Sequence, residues 1–310
     1  MTLNQDLTLK QFWRDNDRFA DLFNAVLFHG ESIIHPKDLS EMDTDVSTQI
    51  STKEGTKTIR RYRDVIKKSS MGADFAILGL ENQSAIHYGM PLRTMVYDAL
   101  NYQKEYDAVT QKNKREKRSS PEEFLSGFKK SDRLHPVFSI ILYYNDAAWS
   151  GPKSLKDMMV PMPPQLSECF FDYPMRLVQI PDTAGYHFLH PDVDAVFDIL
   201  RLIYEKDYSK LREKYEHKMI RQAVLDAVGS ITAAPLKNIF NERKEEVNMW
   251  ASLKEWQQEG YLSGVAHSQQ SIITQMLANH LEIDFIHQVT NIPMEEIKKV
   301  QKQFLNTPGH

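Results

Sequence analysis

The sequence predicts a mixed α/β fold: a mixed sheet flanked by helices, followed by a helical C-terminal region. Three observations carry this expectation. Segments 60–68 (RRYRDVIKK) and 74–83 (DFAILGLENQ) read as strands joined by the short linker SSMGA. Two further apolar runs, VFSIILYY at 137–144 and MRLVQI at 175–180, read as buried strands. Beyond about residue 190 the segments are helix-like and charged, with no strand signal. The expected division is an α/β domain over 1–190 and a helical region over 191–310, suited to oligomerisation or partner contact.

Composition narrows the class. A chain of 310 residues holds one large domain, or a main domain with an appendage. Its 41% hydrophobic and 26% charged content is that of a soluble protein with an ordinary core. The net charge of −4 means that any nucleic-acid binding relies on a local basic patch. A single cysteine, Cys169, excludes an internal disulfide framework and a cysteine-rich zinc site, and it fits a reducing cytoplasm. The N-terminus lacks the basic start and long apolar run of a signal peptide. No stretch approaches the ~20 apolar residues that span a bilayer, so no membrane partner is expected.

In chain order, Phe19, Leu22, Phe23, Val26 and Leu27 fall on one helical stripe within 15–28, with Asp17 and Asp21 on a neighbouring stripe. Residues 35–58 are polar, with Pro36 and Gly55 as breakers, and suggest loop with a short strand near 46–50. In the hairpin that follows, a turn on Gly72-Ala73 pairs Met71 with Asp74 and, counted outward, Asp64 with Glu81. Segment 87–106 is helical, with Pro91 near its start. Segment 111–132, which contains KNKREKR, is expected to be an exposed loop and a candidate substrate contact. Helices are expected over 193–204, 211–228 and 246–258, and as a short pair around Asn-Ile-Pro near the C-terminus.

The hairpin carries the chemistry. Glu81 and Gln83 are two apart and share a strand face, and the register adds Asp64. Two carboxylates on adjacent strands suit a hard divalent ion such as Mg²⁺, with Mn²⁺ or Ca²⁺ as substitutes. Such an ion acidifies water and stabilises charge on a phosphate. Glu81 follows FAILGL, where an unpartnered charge is costly. Arg60, Arg61, Arg63, Lys67 and Lys68 form a basic strip for DNA phosphates. Arg93 and Tyr97 share a helix face, and Arg93 suits a phosphate clamp.

These stretches resemble a known family. DRFADLFNAVLF, RDVIKK, FAILGLENQ, YGMPLRTMVYDALNY and HPVFSIILYYNDAAWSGPKSLKDMM are similar to blocks of the Rpn recombination-promoting nucleases, also called YhgA-like transposases. That family belongs to the PD-(D/E)XK nuclease superfamily. The resemblance covers about 15–180 well and the rest loosely. It implies a PD-(D/E)XK core, Mg²⁺-dependent DNA endonuclease activity, a role in DNA recombination, and metal-binding acids at Asp64 and Glu81. Gln83 stands where the superfamily has lysine, and an amide cannot supply that positive charge. Lys67 and Arg93 are candidates to replace it, and Asp17 and Asp21 are candidates for the assisting acid of the first helix. A homodimer is a candidate assembly, since cutting both strands takes two sites. The alternative is a catalytically degenerate nuclease fold that binds DNA or protein as a scaffold.

Overall fold

The computed structural model describes residues 3–44, 48–52, 55–59, 63–71, 74–116, 120–232, 246–248, 273–274, 277, 283–290 and 292–305. The chain forms two compact units, Met1–Val247 and Asn248–His310. No described helix is long and apolar enough to cross a membrane.

The first unit opens with α1 (Leu3–Arg14) and α2 (Asn16–Phe28). Asp15 separates them because its side chain accepts the Arg18 N–H at 3.0 Å, capping α2. The apolar stripe expected in α2 is buried, with Phe19, Leu22 and Phe23 at its centre. Then come β1 (Leu39–Glu41), a hairpin of β2 (Thr48–Thr52) and β3 (Gly55–Ile59), β4 (Val65–Met71) and β5 (Asp74–Gln83). The Gly72-Ala73 turn lies outside the described residues. The register it implied is present: Met71 pairs with Asp74, and Val65 with Leu80.

A single long helix, α3 (Met90–Glu116), crosses over to β6 (Val137–Tyr143), which lies parallel to β5. β7 (Arg176–Gln179) then adds in parallel, giving a five-stranded mixed sheet in the order β1-β4-β5-β6-β7. The central strands are buried on both sides, which explains their unbroken apolar runs. One face packs Ile66 and Ile77 against Tyr97 and Leu100 of α3. On the other face, Lys67 and Trp13 connect the sheet to α1 and α2.

Several expectations are corrected. Segment 111–132 is not a plain loop: α3 runs through Lys112–Arg115, and α4 (Pro121–Ser126) follows. Lys, Arg, Gln and Glu favour helix, and Asn113 anchors the helix end by donating to Gly127 O at 3.0 Å and to Asp132 at 2.7 Å. After α5 (Pro164–Cys169) and α6 (Pro191–Tyr204), the single helix expected over 211–228 divides into α7 (Tyr208–Tyr215), β8 (Met219–Arg221) and α8 (Gln222–Thr232). Buried Tyr215 donates to Asp198 at 2.7 Å, tying the end of α7 to α6 before the chain turns. Glu246–Asn248 is strand β9, not helix, and 249–258 lies outside the described residues.

The first compact unit also extends past residue 190. α6 packs on α2 and α8, and α8 packs on α1. Arg18 pairs with Asp192 at 2.9 Å, and the Trp13 and Phe197 rings lie 6.1 Å apart. These helices therefore complete the core under the sheet. In the second unit, helices Ile283–Thr290 and Met294–Leu305 form the expected short pair, packed around Ile286, Ile292 and Ile297; Asn291 of the Asn-Ile-Pro segment lies outside the described residues.

Candidate active site at the overhang of the central strand

β5 is longer than its antiparallel neighbour. β4 begins at Val65, opposite Leu80, so Glu81, Asn82 and Gln83 extend past it and pair only with Ile141, Leu142 and Tyr143 of β6. The strand therefore presents three polar residues at its carboxyl end with one flank open. Ligand sites in sheets with parallel strands favour such ends.

Glu81 points to the α3 side and is 1% exposed. Its Oε2 lies 3.4 Å from Arg93 Nη2, and its Oε1 lies 4.0 Å from Arg63 Nε. Oε1 has no hydrogen-bond partner among the described residues. Burial, and then the neighbouring Asp64 charge, push the Glu81 carboxyl up to about 8, although Arg63 and Arg93 oppose them. Arg93 also donates from Nε to Tyr97 Oη at 2.6 Å. The expected Arg93–Tyr97 pair is thus formed and faces Glu81.

Asp64 reaches the site by a different route. Strand alternation would put Asp64 on the side of Ile66, toward α3, and Arg63 on the side of Lys67. The chain bends at Asp64, before β4 begins, and the alternation is lost. Arg63 turns under the sheet toward α3, bonds Asp98, and donates to Ser139 Oγ at 2.7 Å. Asp64 turns to α1. Its Oδ2 accepts the Asn82 backbone N–H at 2.6 Å, at the edge of β5 that β4 leaves open. Its Oδ1 lies 3.2 Å from Lys10 Nζ. Burial holds the Asp64 carboxyl above its ordinary range, against the Asn82 and Lys10 contacts. The two carboxylates feel one another's charge but do not share one strand face. Gln83 is half-buried at the tip of the overhang.

Part of the expected basic strip is corrected. Arg63 is 2% exposed and Lys67 is 0% exposed, so neither reaches a phosphate. Lys67 Nζ instead bonds Arg14 O and Asn16 Oδ1, which stitches β4 to the α1–α2 corner. It therefore does not supply the charge missing at Gln83. Lys68 is half-buried, and Arg60 and Arg61 lie outside the described residues. Asp21 is buried and accepts the Leu189 N–H at 2.9 Å, while Asp17 is exposed on α2. The acid beside Asp64 is Asp6 of α1, bridged to it through Lys10 at 2.7 Å.

Sequence reasoning missed α1 altogether. Its register is set by Trp13 Nε1, which donates to Tyr144 Oη at 2.7 Å; Tyr144 Oη donates to Asn82 Oδ1 at 3.1 Å. Trp13 thus ties α1 to the overhang, and Lys10 lies one turn earlier on the same face. The usable signal was LTLKQFW, with Leu9, Phe12 and Trp13 at helical spacing and all buried.

A hard divalent cation fits this donor set. All the candidate donors are oxygens: the Asp64 and Glu81 carboxylates and the Gln83 amide. Glu81 Oε1 is buried without a hydrogen bond, and the burial and neighbouring Asp64 charge that raise the Glu81 carboxyl are both offset by a bound cation. In comparisons with known proteins, no family model, curated protein or solved structure matches the chain.

Proposed function

We propose that this protein is a metal-dependent DNA endonuclease of the recombination-promoting type, with a PD-(D/E)XK-like core. The observation that carries the reading is the buried, unbonded Glu81 oxygen beside Asp64 on the open overhang of β5. Water adds across one P–O ester bond of the backbone and yields a phosphomonoester and an alcohol. Asp64 and Glu81 would hold Mg²⁺, with Mn²⁺ or Ca²⁺ as substitute ions. When bound, the ion supplies positive charge to the phosphate and lowers the pKa of water. Gln83 accepts a hydrogen bond from the attacking water and orients it. Arg93, braced by Tyr97, donates to a non-bridging phosphate oxygen. A homodimer places two such sites on a duplex.

The test is nicking of supercoiled plasmid with Mg²⁺, beside an EDTA control. Asp64→Ala and Glu81→Ala are each expected to abolish nicking with the thermal transition retained. Nicking that survives either substitution rejects the assignment. A second reading, a non-catalytic DNA- or protein-binding scaffold, is favoured by the 1% exposure of Glu81 and its proximity to two guanidiniums. It predicts no product with Mg²⁺, Mn²⁺ or Ca²⁺.

A further inference from the structure

Among the described residues, three basic side chains lie within 4.0 Å of one of the two carboxylates: Arg63, Arg93 and Lys10. The Arg63 side chain is sealed in, at 0% exposed. The other two reach solvent to the same degree: the Arg93 side chain is 32% exposed and that of Lys10 is 30% exposed. They also stand on opposite flanks. Arg93 comes from α3 against Glu81, and Lys10 comes from α1 against Asp64.

We infer that Lys10 is a substrate-contacting residue: its ammonium binds the phosphate that is cut, from the flank opposite Arg93. The inference rests on the nuclease reading above and deepens it by naming the cation that the neutral Gln83 leaves wanting. Lys10 suits this role for three reasons. Its Nζ sits between Asp6 Oδ2 at 2.7 Å and Asp64 Oδ1 at 3.2 Å, so it is held by one acid of its own helix and one of the site. An incoming anion can draw the ammonium off Asp64 while Asp6 retains it, which frees Asp64 Oδ1 as a ligand. The helix that presents it is fixed by the Trp13–Tyr144–Asn82 chain, so the ammonium is aimed by packed structure and not by a loop. A lysine also behaves as a flexible point charge that follows a phosphate through reaction, where Arg93 is a planar clamp.

The lone Cys169 is exposed at the end of α5, away from this site in sequence and element, which permits a chemical test. A Cys169→Ser parent is prepared, together with Lys10→Cys in the same background. Lys10→Cys is expected to lose roughly 100-fold in single-turnover nicking, the scale of removing one preorganised charge from a transition state. Alkylation with 2-bromoethylamine rebuilds an ammonium of nearly the same reach and is expected to restore nicking to within about tenfold. Iodoacetamide, which leaves a neutral amide, is expected to restore none. In Ca²⁺, where affinity for duplex DNA is measured by titrating salt, Lys10→Cys is expected to make the negative slope of log K against log salt shallower by about 0.9.

Lys10→Cys nicking at the parent rate overturns the inference and leaves the nuclease reading standing. Equal recovery with both reagents, or an unchanged salt slope, also overturns it, because both mark a packing role. A parent inactive with every divalent ion removes the nuclease reading, and the inference with it.

Discussion

Glu81 and Asp64 are neighbours of opposite character. Glu81 lies on the inner side of the overhang, 1% exposed, with rigid guanidiniums near both oxygens. Asp64 lies on the outer side, on a bend, and its partners are a half-exposed lysine and one backbone N–H. The inner group belongs to the core. Arg63 beside it reaches Asp98 and Ser139 and passes so close under Gly79 that a Cβ there would stand 1.8 Å from Arg63 Nη1. The outer group is nearer solvent: the Asp64 side chain is 16% exposed and its Lys10 partner 30%, and a partly exposed salt bridge contributes little. The two acids are placed by different forces. Burial and fixed charge hold Glu81, and chain geometry holds Asp64.

Arg63→Met leaves Asp98 and Glu81 without their buried cation and is expected to destabilise the fold by about 3–5 kcal/mol. Urea denaturation measures this. A loss below about 1 kcal/mol would show that the inner side is no more demanding than the outer one.

The Glu81 carboxyl is raised from 4.5 to about 8 in the fold. The folded state therefore holds a proton that the unfolded chain releases. The stability this group contributes is complete below about pH 4.5 and is lost as pH climbs to about 8. Glu81→Gln keeps the neutral form at every pH. It is expected to exceed wild type in stability by roughly 4 kcal/mol at pH 8 and to match it below about pH 4.5. Thermal melts across that interval decide the matter, and Mg²⁺ is expected to flatten the wild-type curve while leaving Glu81→Gln nearly unaffected. Parallel curves for the two proteins would contradict the burial of a protonated Glu81.

The smallest effect belongs to the outer side. Lys10→Met removes two partly exposed ion pairs and is expected to change stability by less than about 1 kcal/mol. The same substitution is expected to reduce nicking strongly. A large loss of stability would make Lys10 a structural strut and erase the contrast with Arg63.

Much of the sheet was legible from local pattern. The apolar runs of β5, β6 and β7 and the hairpin register depend on neighbours in sequence, and the four-residue spacing of Arg93 and Tyr97 survives in the fold. What escaped was tertiary. Arg63 and Lys67 look like surface cations in RRYRDVIKK, and only the bend at Asp64 and the α1–α2 corner decide that both are buried. Lys10 joins the site across more than fifty residues of chain, through a contact that no periodicity encodes. The helices after residue 190 likewise show their own amphipathic faces but not that α1 and α2 are what they cover.

The end of the sheet has one further consequence. Asn82 donates its N–H to the carboxylate of Asp64, so the last rung of the ladder is made of a titratable, exchangeable side chain. Anything that ligates the Asp64 oxygens shares or competes for the oxygen that closes that rung. Occupancy of the outer oxygens and the tension of the strand tip are thereby linked, so loading the site should register in hydrogen exchange at Asn82 before it registers anywhere in the core.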